Sequence, residues 1–267
     1  MVVPKKVAKA LWISGNFKRK KDKNALLSNQ EDNIIDVQNV TKYYTNGLIV
    51  NKILDNLSVS IKKGEILLIF GVSGGGKSTL LNLISGLDRA NSGDVVVCNK
   101  NLTYLSNAKL TRFRRDHVSF IFQSYNLLGN LTAYDNAETG AYLQKDKSKR
   151  PDISQLFRDF ELEEEMHKFP SQMSGGQQQR VSIIRALAKN AEIVFADEPT
   201  GALDTATSRI VLNTLYELNK KNNTTVIMVS HDPKIKPMAT RVITIAEGKI
   251  KDIWVNDKPL HPQEFYK

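Results

Sequence analysis

The sequence of 267 residues contains little that would stabilise a protein outside the cell. Cys98 is its only cysteine, so the chain can form neither an internal disulfide nor a cysteine-based metal site. The four histidines are scattered along the sequence, which also argues against a zinc site. A reducing cytosol is the compartment that this composition favours.

Long apolar runs and internal repeats are also absent. The longest apolar runs, near Ile66–Phe70 and Val226–Val229, have the length of β-strands, whereas a membrane-spanning helix needs about 20 apolar residues. The run Ala10–Ile13 is shorter than the ~7 apolar residues of a secretory signal. The sequence therefore predicts a protein that does not cross a bilayer by itself. Its hydrophobic content of 41% is enough for a large core in one domain, with or without an insertion.

Acidic residues are scarce near the N-terminus. Eight basic residues precede Asn24 against one acid, Asp22, so this segment carries +7 of the net charge of +10. It can rest on anionic lipid or on a partner, since each lysine near acidic headgroups contributes about 1 kcal/mol, or it can be a solvated arm. We expect a flexible basic extension over residues 1–33, a folded domain over 34–255 and a C-terminal tail over 256–267.

One stretch matches a phosphate-binding pattern at every fixed position. Gly71–Thr79 fits G-x-x-x-x-G-K-[ST], between an apolar run typical of a buried strand and a predicted helix over Ser78–Gly86. Glycine lets bare backbone approach an oligophosphate, and the helix N-terminus adds partial positive charge. Lys77 supplies a full charge and Ser78 a hydroxyl for Mg²⁺. The residues expected to bind the nucleotide here are Gly71, Ser73, Gly74, Gly75, Gly76, Lys77, Ser78 and Thr79.

Two adjacent carboxylates end another predicted strand, Ile193–Ala196. Adjacent acids on a buried strand are costly, and a bound metal supplies a reason for them. We expect Asp197 to hold Mg²⁺ and Glu198 to point at the water that attacks the γ-phosphate. The pattern indicates hydrolysis of a nucleoside triphosphate.

Other polar residues lie where predicted strands end or a predicted helix begins. Gln123 can ligate Mg²⁺ or orient water, although a lone glutamine is more often a surface residue. His231 can contact a γ-phosphate or be structural. Ser174-Gly-Gly at a helix start is a second anion site. Tyr44 can stack on an adenine or pack as an ordinary strand residue.

With these motifs in this order, the chain resembles the ATP-binding subunit of ATP-binding-cassette (ABC) transporters over roughly residues 34–255. Met173–Gln177 is similar to the LSGGQ signature of that family, with Met in place of Leu. The resemblance implies the following roles: adenine stacking for Tyr44; phosphate and Mg²⁺ binding for Lys77 and Ser78; the Q-loop for Gln123; the signature for Ser174, Gly175, Gly176 and Gln177; Walker B for Asp197 and Glu198; the D-loop for Asp204; and the switch for His231. Glu198, His231 and Gln123 would be catalytic, and Ser78, Gln123 and Asp197 would hold the metal.

The resemblance also implies a fold and a mechanism. The fold is an α/β P-loop NTPase of ABC type, with a parallel core sheet, an antiparallel β lobe and an α-helical insertion at about residues 124–190. ATP and Mg²⁺ are the implied cofactors. Two subunits, expected to form a homodimer, would enclose two ATP molecules, each touching Lys77 of one copy and Ser174 of the other. A transmembrane permease would convert this closure into transport, placing the chain peripherally on the cytoplasmic face of the cell membrane.

A finer resemblance is to the branch with lipoprotein-releasing, macrolide-exporting and cell-division ATPases. It rests on Phe122–Leu128 with Leu131–Ala133, on Ser174–Arg180 and on Asp197–Asp204. The alternative is a soluble ABC-type ATPase that acts on nucleic acid or another macromolecular complex. Against it, no long coiled coil separates the phosphate loop from the signature and the chain holds one cassette. The substrate belongs to the permease, so this sequence does not predict it.

Overall fold

The structure is a computed structural model that describes residues 32–46, 49–201 and 203–266. Nearly all of the predicted basic extension therefore lies outside the described residues. The described chain divides into two compact units. The first consists of the described residues up to Lys63, Ile69–Phe113 and Ile243–Trp254, and the second of Gly64–Leu68, Arg114–Val242 and the described residues from Val255 onward.

Strands and helices are interspersed along the described chain. The strands are β1 (Asn33–Asn46), β2 (Ile49–Lys62), β3 (Ile66–Phe70), β4 (Ser92–Val97), β5 (Lys100–Asn101), β6 (Val118–Ile121), β7 (Ile193–Asp197), β8 (Thr225–Ser230), β9 (Arg241–Ala246) and β10 (Lys249–Val255). The helices are α1 (Lys77–Ile84), α2 (Asn107–His117), α3 (Ala133–Leu143), α4 (Ile153–Asp159), α5 (Gly175–Ala188), α6 (Thr205–Asn222) and α7 (Pro262–Phe265).

The first unit contains an antiparallel sheet in the order β2-β1-β4-β5. Val37 of β1 pairs with Val59 of β2 on one side and Val95 of β4 on the other, and all three side chains are buried. Along a strand, successive side chains point to opposite faces of the sheet, so these three paired valines belong to its apolar face. In this unit the second half of β3 also lies beside β9, and β10 follows β9. The phosphate loop and α1 come directly after β3.

The second unit contains a parallel array in which the first half of β3 is followed by β8, β7 and β6. Phe120 of β6 pairs with Phe195 of β7, which pairs with Ile227 of β8. The six residues of β8 are all buried, because a parallel strand in the middle of a sheet is covered on both faces. The strands end at Ile121, Asp197 and Ser230, so the polar residues that follow them lie at one edge of this array.

The predicted fold class agrees with the elements of the structure. Residues 124–190 contain α3, α4, α5 and short 3₁₀ turns, and none of them lies in a strand. Glu247 and Gly248 join β9 to β10 in a tight turn, and both residues have the left-handed φ angles, +52° and +72°, that such a turn requires. Among the described residues, no helix combines the length and apolar character needed to span a membrane.

Candidate active site

Two glycines of the phosphate loop occupy positions where an added Cβ atom would force neighbouring atoms to move. Gly71 has a φ angle of +142°, and a Cβ atom there would lie 2.2 Å from the carbonyl oxygen of Ile245. Gly76 precedes α1 with a φ angle of +104°, and its Cβ would lie 2.8 Å from the Cδ2 atom of Leu54. Both positions combine a left-handed backbone with close packing, which only glycine accommodates at low cost.

Lys77 is almost fully buried and turns back into the loop. Its Nζ atom donates a hydrogen bond to the carbonyl oxygen of Val72 at 2.9 Å, and the backbone N–H of Gly75 donates to the same oxygen at 3.3 Å. The first turn of α1 contains no acidic residue, and Gly76 offers no side chain to cap it. A cation, a helix N-terminus and backbone N–H groups therefore surround one loop, and this donor set fits a polyphosphate.

Tyr44 lies next to this loop and is held by its hydroxyl group. The hydroxyl donates to Asp88 Oδ2 at 2.7 Å, and the Nζ atom of Lys42 lies 2.8 Å from the Asp88 carboxylate and 4.7 Å from the centre of the Tyr44 ring. Burial and the charge of Asp88 raise the pKa of Tyr44 to about 12, partly offset by a hydrogen bond with Thr79. The ring is thus fixed beside the first turn of α1 while the side chain stays 41% exposed.

Glu198 and His231 form a close pair at the ends of β7 and β8. The Nδ1 atom of His231 lies 2.9 Å from Glu198 Oε1, and the hydroxyl of Ser230 donates to Glu198 Oε2 at 3.3 Å. The side chain of Glu198 is 12% exposed and that of His231 68%. A sheltered carboxylate with a defined orientation is therefore joined to an accessible imidazole.

The backbone of Glu198 is held in an unusual conformation. Its φ angle is +49°, a left-handed value that a non-glycine residue adopts only when its surroundings impose it. Its N–H donates to the carbonyl oxygen of Val229 at 3.0 Å, and its own carbonyl accepts from Gly201 at 3.1 Å. Asp197, one residue earlier, pairs with Val229 in the sheet and is partly exposed. The chain therefore turns sharply directly after Asp197.

The signature segment caps its own helix. The Ser174 hydroxyl accepts from the backbone N–H of Gln177 at 3.3 Å, and the Gln177 side chain accepts from the N–H of Ser174 at 2.8 Å. This capping box fixes the start of α5. A Cβ atom on Gly175 would lie 2.9 Å from the hydroxyl of Tyr125, so glycine lets this tyrosine lie against the helix start.

Gln123 and Asp204 each precede a segment with a defined shape. Gln123 is exposed two residues after β6, and the next turn has left-handed φ angles at Tyr125 and Asn126, whose carbonyl oxygens both accept from the guanidinium of Arg185 on α5. Asp204 caps α6, because its carboxylate accepts from the backbone N–H of Thr207 at 2.8 Å. Bonds from Thr207 hold the pKa of Asp204 below its ordinary value.

Several neighbours of these residues were not predicted from the sequence. Lys42 and Asp88 hold Tyr44, Ser230 binds Glu198, and Arg185 joins the turn after Gln123 to α5. The sequence contains a signal for Ser230, because it is the last residue of a predicted buried strand and directly precedes His231. The Asp88 contact carries no such signal, since 44 residues separate it from Tyr44.

Similarity to known proteins identifies the family of this chain. The family described as "ABC transporter" matches residues 54–201. An ABC transporter ATP-binding protein of Mycoplasma genitalium, MG065, is 45% identical over 97% of this chain and 55% of its own length. The macrolide export ATP-binding/permease protein MacB of Haemophilus ducreyi is 44% identical over 81% of this chain and 31% of its own length.

A solved structure agrees with these relatives. The ATP-binding cassette MJ0796, seen as a dimer in a post-hydrolysis state bound to ADP and Pi, superposes with a TM-score of 0.77 at 37% identity, covering 83% of this chain and 98% of that chain. The chain spans about half the length of the two Mycoplasma relatives. The predicted resemblance and fold class are confirmed: the chain belongs to the ABC transporter family as an ATP-binding cassette.

Proposed function

We propose that this chain binds Mg-ATP and hydrolyses it with Glu198 and His231, as the ATP-binding part of a transporter that drives a transmembrane permease from the cytoplasmic face. The observation that carries the proposal is the Glu198–His231 contact at 2.9 Å, next to the acid Asp197. A sheltered carboxylate held by an accessible histidine is suited to orient and polarise an attacking water.

In this proposal, the residues that the sequence predicts as nucleotide ligands bind ATP and Mg²⁺. Lys77 and the loop Gly71–Thr79 would hold the phosphates with one cation and backbone N–H groups, and Tyr44 would offer its ring to the adenine. Ser78, Asp197 and Gln123 would hold Mg²⁺, because hydroxyl, carboxylate and amide oxygens are the ligands that this ion prefers. When bound, Mg²⁺ neutralises charge on the phosphate oxygens.

In the chemical step, Glu198 is proposed to accept a hydrogen bond from the attacking water. Its two oxygens are oriented from the protein side, Oε1 by His231 and Oε2 by Ser230. This bracing limits rotation of the carboxylate, so its alignment with a water needs little further ordering. His231, which is the more exposed of the pair, would also contact the γ-phosphate.

The finer partners are also proposals. We infer that two copies enclose ATP, with Ser174 at the capped start of α5 contacting the nucleotide held by Lys77 of the other copy. The dimeric state of MJ0796 supports this arrangement, and the name of MacB, which joins an ATP-binding part to a permease, supports a membrane partner. That pairing favours transport over the alternative of a soluble ATPase acting on nucleic acid.

The test uses Glu198→Gln in the full chain. The amide keeps the size of the side chain and removes the charge, so hydrolysis should fall at least ~10²-fold, the scale of a lost general base, while ATP still binds. Since bound ATP would join the subunits, size-exclusion chromatography with Mg-ATP should show a dimer that persists.

The control is Glu198→Gln combined with Ser174→Arg, which places a bulky cation where the second copy would contact the nucleotide. This double variant should bind ATP and elute as a monomer. Normal hydrolysis by Glu198→Gln would remove Glu198 from its proposed role. A monomer at saturating ATP would instead contradict the enclosed dimer for the chain alone and leave the catalytic assignment in place.

A further inference from the structure

The segment after β10 returns to the loop that carries His231. Asn256 donates from Nδ2 to the carbonyl oxygens of Pro237 and Ala239, both at 3.0 Å, and the N–H of Leu260 donates to Pro237 at 2.9 Å. Pro237 belongs to the 3₁₀ helix Pro233–Met238, which starts two residues after His231. The tail is therefore bonded to the segment that immediately follows the switch histidine.

The same tail is also fixed to α6. His261 begins α7 with a capping box, and its Nε2 atom lies 3.4 Å from Glu217 Oε1 on α6. The His261 ring meets the ring of Tyr216 edge-on, with 5.0 Å between their centres. Because Asp204, the proposed D-loop residue, caps the start of α6, these contacts hold α7 against a helix that begins next to the proposed nucleotide site.

Tyr266 ends this segment with its ring buried and its hydroxyl directed at Asp232. The hydroxyl donates to Asp232 Oδ2 at 3.1 Å and also interacts with the side chains of Ser208 on α6 and Thr200, which lies two residues after Glu198. Burial and the Asp232 charge raise the pKa of Tyr266, so the hydroxyl keeps its proton and remains a donor.

Asp232 divides its two oxygens between the tail and its own loop. Oδ1 accepts from the backbone N–H of Lys234 at 2.9 Å, which starts the 3₁₀ helix, while Oδ2 accepts from Tyr266. The N–H of Asp232 donates to the Ser230 hydroxyl at 3.1 Å, and that hydroxyl donates to Glu198. A continuous chain of hydrogen bonds thus runs from Tyr266 through Asp232 and Ser230 to the carboxylate proposed as the base.

We propose that Tyr266 is a positioning residue for ATP hydrolysis, which uses its hydroxyl to fix the loop Ser230–Asp232 and thereby the contact of His231 with Glu198. His231 is flanked by two residues that are each hydrogen-bonded, although its own side chain is largely exposed. An exposed imidazole has little packing to orient it, so its direction depends on the backbone that these neighbours hold. The inference rests on the proposed function of Glu198 and His231.

The experiment compares Tyr266→Phe with Tyr216→Phe in the full chain. Tyr266→Phe keeps the buried ring and removes the bond to Asp232. Tyr216→Phe removes a hydroxyl beside the same tail and leaves that bond in place. Steady-state ATP hydrolysis is measured per nucleotide-binding site, with the sites counted by ATP titration so that loss of folded protein does not count as loss of rate.

For Tyr266→Phe we expect kcat to fall about three- to tenfold, the scale of the net contribution of one hydrogen bond. The KM for ATP should stay within about twofold, because Lys77 and the phosphate loop are unaltered. Tyr216→Phe should match the unmodified chain. An unchanged kcat in Tyr266→Phe, or an equal loss in Tyr216→Phe, overturns the inference, since a merely structural tail would alter the number of sites and not the rate of each.

A second variant keeps the inference testable if Tyr266→Phe does not fold. Asp232→Asn removes the negative charge from the group that accepts the hydrogen bond of Tyr266, and its amide oxygen can still accept from the N–H of Lys234. This variant should lower kcat to a similar degree. A normal kcat would overturn the inference. Glu198→Gln, measured alongside, separates the two proposals. If it hydrolyses ATP normally the proposed function fails, whereas an inactive Glu198→Gln with a normal Tyr266→Phe refutes only the role of the tail.

Discussion

In the proposed function the phosphate loop binds the nucleotide mainly through backbone N–H groups, whereas the Glu198–His231 pair acts through side chains. The loop is formed by nine consecutive residues, Gly71–Thr79, whose shape depends on local φ angles. Glu198 and His231 are separated by 33 positions, and two parallel strands bring them to 2.9 Å. One region is thus defined by local conformation and the other by strand pairing.

This difference determines how each region responds to substitution. In the loop, a change of backbone preference or a single added carbon acts on the shape of the binding site itself. At the pair, the backbone is fixed by the sheet, so removing one hydrogen-bonding group should lower the rate and leave the fold intact. The following substitutions test this contrast, beginning with the largest expected effect.

Lys77→Ala should lower ATP affinity by on the order of 10²-fold or more, because the phosphates lose a charged hydrogen-bond donor on a nearly buried side chain. Isothermal titration calorimetry with Mg-ATP measures this directly. Glu198→Gln should retain its affinity for ATP in the same assay. That result would show that ATP binding and ATP hydrolysis depend on different side chains. Lys63→Ala, which removes an exposed charge from the first unit, is the control and should bind normally. Unchanged affinity in Lys77→Ala would refute the phosphate-loop assignment.

Gly71→Ala and Gly74→Ala separate steric overlap from backbone strain. Both residues have left-handed φ angles, but a Cβ on Gly71 would lie 2.2 Å from the Ile245 carbonyl oxygen, while one on Gly74 would meet nothing within 4 Å. Without nucleotide, Gly71→Ala should lower the free energy of unfolding by about 3 kcal/mol or more, and Gly74→Ala by about 1 kcal/mol. Urea unfolding measures both values. Equal losses would mean that the contact with Ile245 has no energetic weight.

Ser230→Ala should have the smallest effect, a loss of about fivefold in kcat at constant KM. The substitution removes the bond to Glu198 Oε2 at 3.3 Å, and one such bond is worth about 1 kcal/mol net. The matched control is Ser119→Ala on β6, because the buried Ser119 hydroxyl has no hydrogen-bond partner among the described residues. That variant should hydrolyse ATP normally. Equal rates in both variants would show that Ser230 does not orient the carboxylate.

The parts of the site that were predicted from the sequence are those with a local signal. Glycines and Lys77 at fixed spacing predicted the phosphate loop. Two acids after an apolar run predicted the roles of Asp197 and Glu198. Gln123 and His231 were found as polar residues at the ends of predicted strands. Their individual roles in binding and catalysis stay predictions, as do the domain boundaries and the basic extension.

The remaining features depend on contacts between distant residues. Tyr44 was predicted as an adenine contact, but no pattern indicates that Asp88 and Lys42 hold it. The left-handed backbone of Glu198 follows from its bonds to Val229 and Gly201, and a glutamate gives no sign of that conformation in advance. Tyr266 was assigned only to a C-terminal tail.

By itself the sequence determined the family, the α/β order of elements and the chemical groups available for nucleotide binding, because these depend on apolar periodicity and on motifs a few residues long. Only the tertiary structure decided which oxygen of Glu198 faces His231, which faces Ser230, and that Tyr266 reaches Asp232. Such contacts arise when separate strands and a terminal helix pack together. Hydrogen bonds between those elements require atoms to meet within about 3 Å, a distance that residue types and spacing do not specify.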